Sequence, residues 1–172
     1  MNPIYERTRP VSVRPARPED TEAIRAIRNH AIEHSTALWT ETQQSPAEGA
    51  AWVAAHLERG SAFVAEVGGE TAGFAVYGPW REKDGYRHTV EDSVYVRDDM
   101  HGLGIGSALL SEVIDSARRE GHHVMVAGIE AENTASIRLH ERFGFRVAGT
   151  VPEAGTKFGR WLDLTLMHLR LG

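Results

Sequence analysis

Apolar and polar positions alternate along this chain with two different periods. "VSVRPA" (11–16) alternates at period two and reads as a short strand. Pro18, Glu19 and Asp20 read as a helix start, and Ile24, Ile27 and Ala31 then mark one helical face. "STALWTETQQ" (35–44) reads as a loop. Ser45 and Pro46 fit the N-cap and first position of a second helix through Leu57. "SAFVAEV" and "TAGFAVYG" flank Gly68–Gly69, a strong hairpin signal. A polar loop with aromatic residues (79–87) leads into a strand, "HTVEDSVYV" (88–96). Residues 105–120 form a helix in which Ile105, Leu109, Val113 and Ala117 share a face, and Gly121 suits its C-terminal cap. "HVMVAGIE" (123–130) is a strand of the buried type. Asn133 caps a short helix that ends at Gly144, and two last strands are expected around 145–151 and 161–170.

The order β-α-α-β-β-β-α-β-α-β-β mixes hairpins with crossovers. It predicts an α/β (α+β) fold: a mixed central sheet with helices on its faces. The 172 residues suit one domain, 11–172, behind a flexible lead-in at 1–10. The absence of cysteine removes disulfides, thiolate metal sites and a thiol nucleophile together. A net charge of −5 weighs against a nucleic-acid partner. No apolar run approaches membrane-spanning length, and "MNPIYERTRP" lacks the apolar core of a signal peptide. A soluble, cytoplasmic protein with no membrane partner is the expectation. His122 and His123 are adjacent in a strand and point to opposite faces, so no metal site is expected there.

"EDSVYVRDDMHGLGIGSALL" (91–110) changes this picture. Gly102, Gly104 and Gly106 stand between a strand and a helix. A helix start offers unpaired N–H groups and partial positive charge, and glycine lets an anion approach the backbone. The two together predict a phosphate cradle that needs no basic side chain. The nucleoside-triphosphate loop fails, because no Gly-Lys-Ser/Thr closes the turn. The dinucleotide fingerprint fails because Leu109 or Ser107 occupies the third glycine position.

The same stretch resembles the acetyl-CoA pyrophosphate loop of the GNAT superfamily of N-acetyltransferases. That family's pattern, Gln/Arg-x-x-Gly-x-Gly/Ala, falls on His101, Gly102, Leu103, Gly104, Ile105 and Gly106, with His101 in place of Gln or Arg. "ENTASIRLHERFGF" (132–145) resembles the family's Asn-x-x-Ala-x-x-x-Tyr-x-x-x-Gly-Phe helix, with His140 at the Tyr position. Within the superfamily, "TALWTE", "YGPWR", "TVEDSVYVRDD" and "KFGRWLDLTLM" are most similar to the phosphinothricin and methionine sulfone/sulfoximine acetyltransferases.

The resemblance implies the GNAT fold, acetyl-CoA as cosubstrate and a small amino-acid-like acceptor. It implies cofactor contacts from Val94, Tyr95 and Val96 as a strand partner of the pantetheine arm. Gly102, Leu103, Gly104, Ile105, Gly106 and Ser107 form the turn, and Asn133 and Ser136 lie on the short helix. Glu91 becomes the expected general base, and His140 the residue that assists the departing thiolate. Asp84, Gly85 and Tyr86 match the family's substrate-contact segment. Arg81, Arg87 and Lys157 are the cations available to an acceptor carboxylate, and Trp80 and Trp161 could wall its pocket. Other amine acceptors (a protein N-terminus, an aminoglycoside) and a non-catalytic acyl-CoA-binding module stay open. The apolar last strand is compatible with a homodimer.

Overall fold

A computed structural model describes residues 10–172. The lead-in expected at 1–10 therefore lies, except for Pro10, outside the described residues. Seven strands form one sheet: β1 (Val11–Pro15), β2 (Ala62–Val67), β3 (Glu70–Pro79), β4 (Thr89–Val96), β5 (Val124–Glu130), β6 (Arg146–Lys157) and β7 (Arg160–Arg170). Four helices cover it: α1 (Thr21–His34), α2 (Pro46–Glu58), α3 (Ile105–Arg119) and α4 (Thr134–Arg142). The order along the chain is the one the hydrophobic pattern predicts. The sheet runs β1-β2-β3-β4-β5-β7-β6. β4 and β5 are its parallel pair, as a connection through the α3 crossover requires.

Each sheet face has its own core. Ile105, Leu109, Val113 and Ala117 of α3 are buried against Ala75, Val90, Met125 and Met167. Ile24 and Ile27 of α1, with Val53 of α2, are buried against Val64, Phe74 and Val76 on the other face. Local chemistry sets the boundaries. Ser45 Oγ accepts the Glu48 N–H at 3.2 Å while the Glu48 carboxylate accepts the Ser45 N–H at 2.8 Å, a reciprocal cap that starts α2. Gly121, at φ +79°, ends α3 in the left-handed region that glycine tolerates best.

The α1 face marked by Ile24, Ile27 and Ala31 packs on the sheet through Ile24 and Ile27 and reaches the cleft described below at Ile27 and Ala31. One expectation needs correction: the last hairpin is longer than the pattern suggests. β6 continues to Lys157 through two register shifts and turns at Phe158–Gly159, with φ of +52° and +70°. β6 bulges between Val151 and Gly155, and β7 stays paired on both sides, Val151 with Leu164 and Gly155 with Leu162.

Candidate active site

β4 pairs with β5 only over Thr89–Glu91, opposite Val124–Val126. Beyond Glu91 the two strands part. β4 stays paired with β3 as far as Val96, so one edge of β4 faces a gap. The Arg97 N–H donates to Ala72 O across β3 at 2.9 Å. Alternation then turns the Tyr95 amide toward β3 as well, and the Val94 and Val96 amides toward the gap. Val94, Tyr95 and Val96, the residues expected along the pantetheine arm, all line the cleft described next, with the Val94 and Val96 amides facing the gap and the Tyr95 amide turned away from it. Tyr95 instead stacks its ring on Phe74 at 5.0 Å between centroids, and burial pushes its hydroxyl up to about 12.

The gap opens into a cleft of about 920 Å³ lined by Val94–Val96, Gly102, Gly104–Ser107, Asn133 and Ser136. Gly104 is the N-cap of α3 at φ +76°, and Gly102 is at φ +82°. The first hydrogen bond of the helix is Ala108 N–H to Gly104 O, 3.0 Å. The Ile105, Gly106 and Ser107 amides precede it and have no helical acceptor. A Cβ added to Gly102 or Gly104 would meet no protein atom within 4 Å, so the turn is bare toward the cleft. Of the other turn residues, Ile105 buries its side chain in the core and offers only backbone, while Leu103 is exposed and does not line the cleft. Asn133 Oδ1 accepts the Ser136 N–H at 3.2 Å, so the cap role is real and is performed on the cleft wall.

Glu91 sits at the apex of the gap, opposite Gly78 on β3 and Val126 on β5. Its Oε1 would come 3.1 Å from a Cβ on Gly128, so that glycine makes room for the carboxylate. Burial pushes the carboxyl pKa up, the neighbouring Asp92 adds to this, and Arg81 works against it. A carboxylate shifted this way is a better proton acceptor.

His140 departs from its expected place. The ring is buried and is not on the cleft wall. Nδ1 donates to Ser136 O at 2.8 Å, and Nε2 faces Asp92 Oδ2 at 2.9 Å. Both nitrogens are committed, so the ring ties α4 to β4 from within instead of facing a departing sulfur. Burial, the largest influence, opposes the charged ring. The Asp92 hydrogen bond and charge, with the Ser136 carbonyl, outweigh it, and the net shift is upward from 6.5. His140→Ala would strand a buried carboxylate, and a loss of about 3–5 kcal/mol is expected in urea denaturation. The ion-pair contribution is complete below the ordinary imidazole value and fades as pH climbs through the raised one. A gap between wild type and variant that is equal at pH 5.5 and 8.5 would refute the charged pair.

The expected substrate loop separates from the glycine cleft. Arg81, Asp84 and Arg87 line a second cavity of about 700 Å³ together with Tyr77, Val90 and His122. Arg81 lies over the Trp80 ring at 4.5 Å and 5.8 Å from the Tyr86 ring, and Arg87 Nη1 donates to Asp84 O at 3.1 Å. Gly85 has open space around it, and Trp161 is 69% exposed and walls nothing. Lys157 is fully buried, with Nζ donating to Ser35 O and Leu38 O at 2.6 and 2.7 Å. It is therefore closed to direct contact with an acceptor carboxylate. The sequence reading missed the α1 wall: Ala26, His30, Ala31 and His34, with Ser35 and Ala37 beyond. His30 and His34 are one turn apart, but only packing shows that their face meets the cleft.

Residues 23–145 match the acetyltransferase (GNAT) family. The chain belongs to that family. It is an N-acetyltransferase, and acetyl-CoA, the acyl donor of GNAT enzymes, fits the bare glycine turn and the unpaired edge of β4. An L-methionine sulfoximine/L-methionine sulfone acetyltransferase of Pseudomonas paraeruginosa is 49% identical over 162 residues, 93% of this chain and 94% of that one. A phosphinothricin N-acetyltransferase of Streptomyces viridochromogenes is 40% identical over 91% of this chain and 85% of its own. Among solved structures, a putative acetyltransferase from Salmonella typhimurium with its cofactor acetyl-CoA superposes at a TM-score of 0.92, with 48% identity and 95% coverage of both chains. Among the described residues, no helix is long and apolar enough to cross a membrane.

Proposed function

We propose that this GNAT enzyme acetylates the α-amino group of small amino-acid analogues (methionine sulfone, methionine sulfoximine and phosphinothricin) by direct transfer, with Glu91 as general base. The observation that carries this is the half-buried carboxylate of Glu91 at the apex of the β4–β5 gap, where its proton affinity is raised. The acceptors for which the relatives are named support the acceptor class. Acetyl-CoA supplies the acetyl group as a thioester: the amine nitrogen bonds to the carbonyl carbon, the C–S bond breaks, and CoA leaves as a thiolate that takes up a proton from water as the new amide nitrogen gives up its second proton. Glu91 takes the amine proton, directly or through water, because a protonated amine has no lone pair to attack with. The Val94 or Val96 amide donates to the negative charge that builds on the carbonyl oxygen. Arg81, close enough for its charge to act on Glu91, is assigned to the oxygens of the acceptor. Asp84, Gly85, Tyr86 and Arg87 form the outer rim.

The protein acts in the cytoplasm, where acetyl-CoA is consumed, as a homodimer. The exposed apolar residues of the outer hairpin, Val147, Val151 and Trp161, support pairing of two copies.

The test is thiol release from acetyl-CoA across an acceptor panel. Methionine lacks the sulfone oxygens. Each charge-assisted hydrogen bond is worth about 1.5–3 kcal/mol, so methionine should be poorer than its sulfone by about tenfold or more in kcat/KM. Equal efficiency would end the oxygen-recognition reading. Turnover of peptides or aminoglycosides alone would replace the acceptor class, and no turnover with any amine would leave an acyl-CoA-binding module.

A further inference from the structure

We propose that Lys157 is a positioning residue for the acceptor: from the last hairpin, it fixes the loop between α1 and α2 as a wall of the cleft. The proposal rests on the acceptor reading given above.

Lysine is almost never fully buried unless it is paired, and Lys157 is 1% exposed. Its partners are the Ser35 and Leu38 carbonyls, at 2.6 and 2.7 Å. Ser35 is the C-cap of α1, the end of a helix that attracts a cation. Burial lowers the pKa of Lys157, and Glu41 of the same loop opposes that shift. The Phe158 ring lies 4.7 Å from the ammonium.

A second contact acts on the same loop. A methyl on Gly155 would overlap the Trp39 ring, so the glycine is the socket for that side chain. Trp39 Nε1 in turn donates to Thr36 O at 3.0 Å, which folds the loop onto itself. The far end of the loop is held by α1, with Asn29 and Gln44 bonded reciprocally at 2.9 and 3.0 Å. The middle is held by the hairpin, through Lys157 and Gly155.

The consequence reaches the site because Ser35 and Ala37 line the cleft with Val94 and Val96. Main-chain carbonyls clamped by a buried ammonium cannot drift, so the wall is preorganised before the acceptor arrives. The Lys157 ammonium bonds to Ser35 and Leu38 and the Gly155 socket holds Trp39, none of which belongs to the glycine turn. Loosening the loop should therefore cost acceptor binding and spare the coenzyme.

Lys157→Met keeps most of the volume and removes the donors. Gly155→Ala displaces Trp39 and leaves Lys157 in place. For both, the acceptor KM should rise about tenfold while the acetyl-CoA Kd is unchanged, since a misplaced wall weakens acceptor binding alone. Amide hydrogen exchange over residues 36–44 should be faster than in wild type. A general structural defect would move Tm and both ligands together, and that outcome overturns the proposal. A wild-type acceptor KM in folded Lys157→Met overturns it too. If the wild type itself acetylates none of the analogues, the acceptor reading has failed instead. The exchange experiment then decides the clamp alone, and unaltered protection of 36–44 rejects it.

Discussion

Replacing Glu91 by glutamine should lower kcat by about 10²–10⁴-fold, the range that a positioned general base contributes. The substitution keeps the size and the place opposite Gly78 and Val126, so the fold and acetyl-CoA binding should be preserved. The pH profile carries the sharper information. Burial and Asp92 raise the proton affinity of Glu91, so the wild-type rate should fall on the acid side as pH drops through that raised value. The variant has no carboxylate to protonate and should lose this limb. Wild-type turnover in the glutamine variant at every pH would remove Glu91 from the mechanism.

Gly104→Val should abolish most of the stabilisation that acetyl-CoA gives the protein. For the wild type, ligand at a hundred times its Kd adds about 2.7 kcal/mol, read as a rise in Tm. Two effects act against the variant. Gly104 has φ of +76°, where a residue with a Cβ is strained by about 1–2 kcal/mol. Its missing side chain would also point into open space on the cleft wall, beside the free amides of α3 that the proposed cradle offers to the phosphates. Gly121→Val separates the two effects. Gly121 has φ of +79° and is equally free of neighbours, but it lies at the far end of α3. That variant should lose stability and keep the full acetyl-CoA response. An unchanged response in folded Gly104→Val would count against the cradle.

Most of the glycine turn was legible because it is local. The strand, the glycines and the helix start are consecutive in the chain, and backbone amides need no partner from elsewhere to make an anion site. Asn133 was legible for the same reason: its cap is formed with a residue three positions on. Glu91 was placed within its strand, β4, by the hydrophobic pattern. Its role still depended on the resemblance, since a strand glutamate with no neighbours named is a surface charge.

The residues that moved were those whose surroundings are distant in sequence. His140 occupies the family's tyrosine position, yet its environment is set by Asp92, 48 residues earlier, and a buried carboxylate attracts an imidazole more strongly than an open cleft does. Lys157 read as a free cation because the main-chain carbonyls that hold it are not among its neighbours in sequence. Its partners lie about 120 residues away, in a loop with no regular structure of its own. Arg81, Asp84 and Arg87 are adjacent to the strand that carries Glu91, but they open onto a different cavity from the glycine turn.

The sequence by itself determined the order of elements, the two-faced sheet and the glycine turn before α3. Hydrophobic period, caps and glycine conformation are properties of a few consecutive residues. Only the tertiary structure decided where β4 and β5 part, which amides of β4 face the gap, and which helix walls the cleft. Those follow from register and from packing across the whole sheet. A single strand carries no record of where its neighbour stops pairing with it.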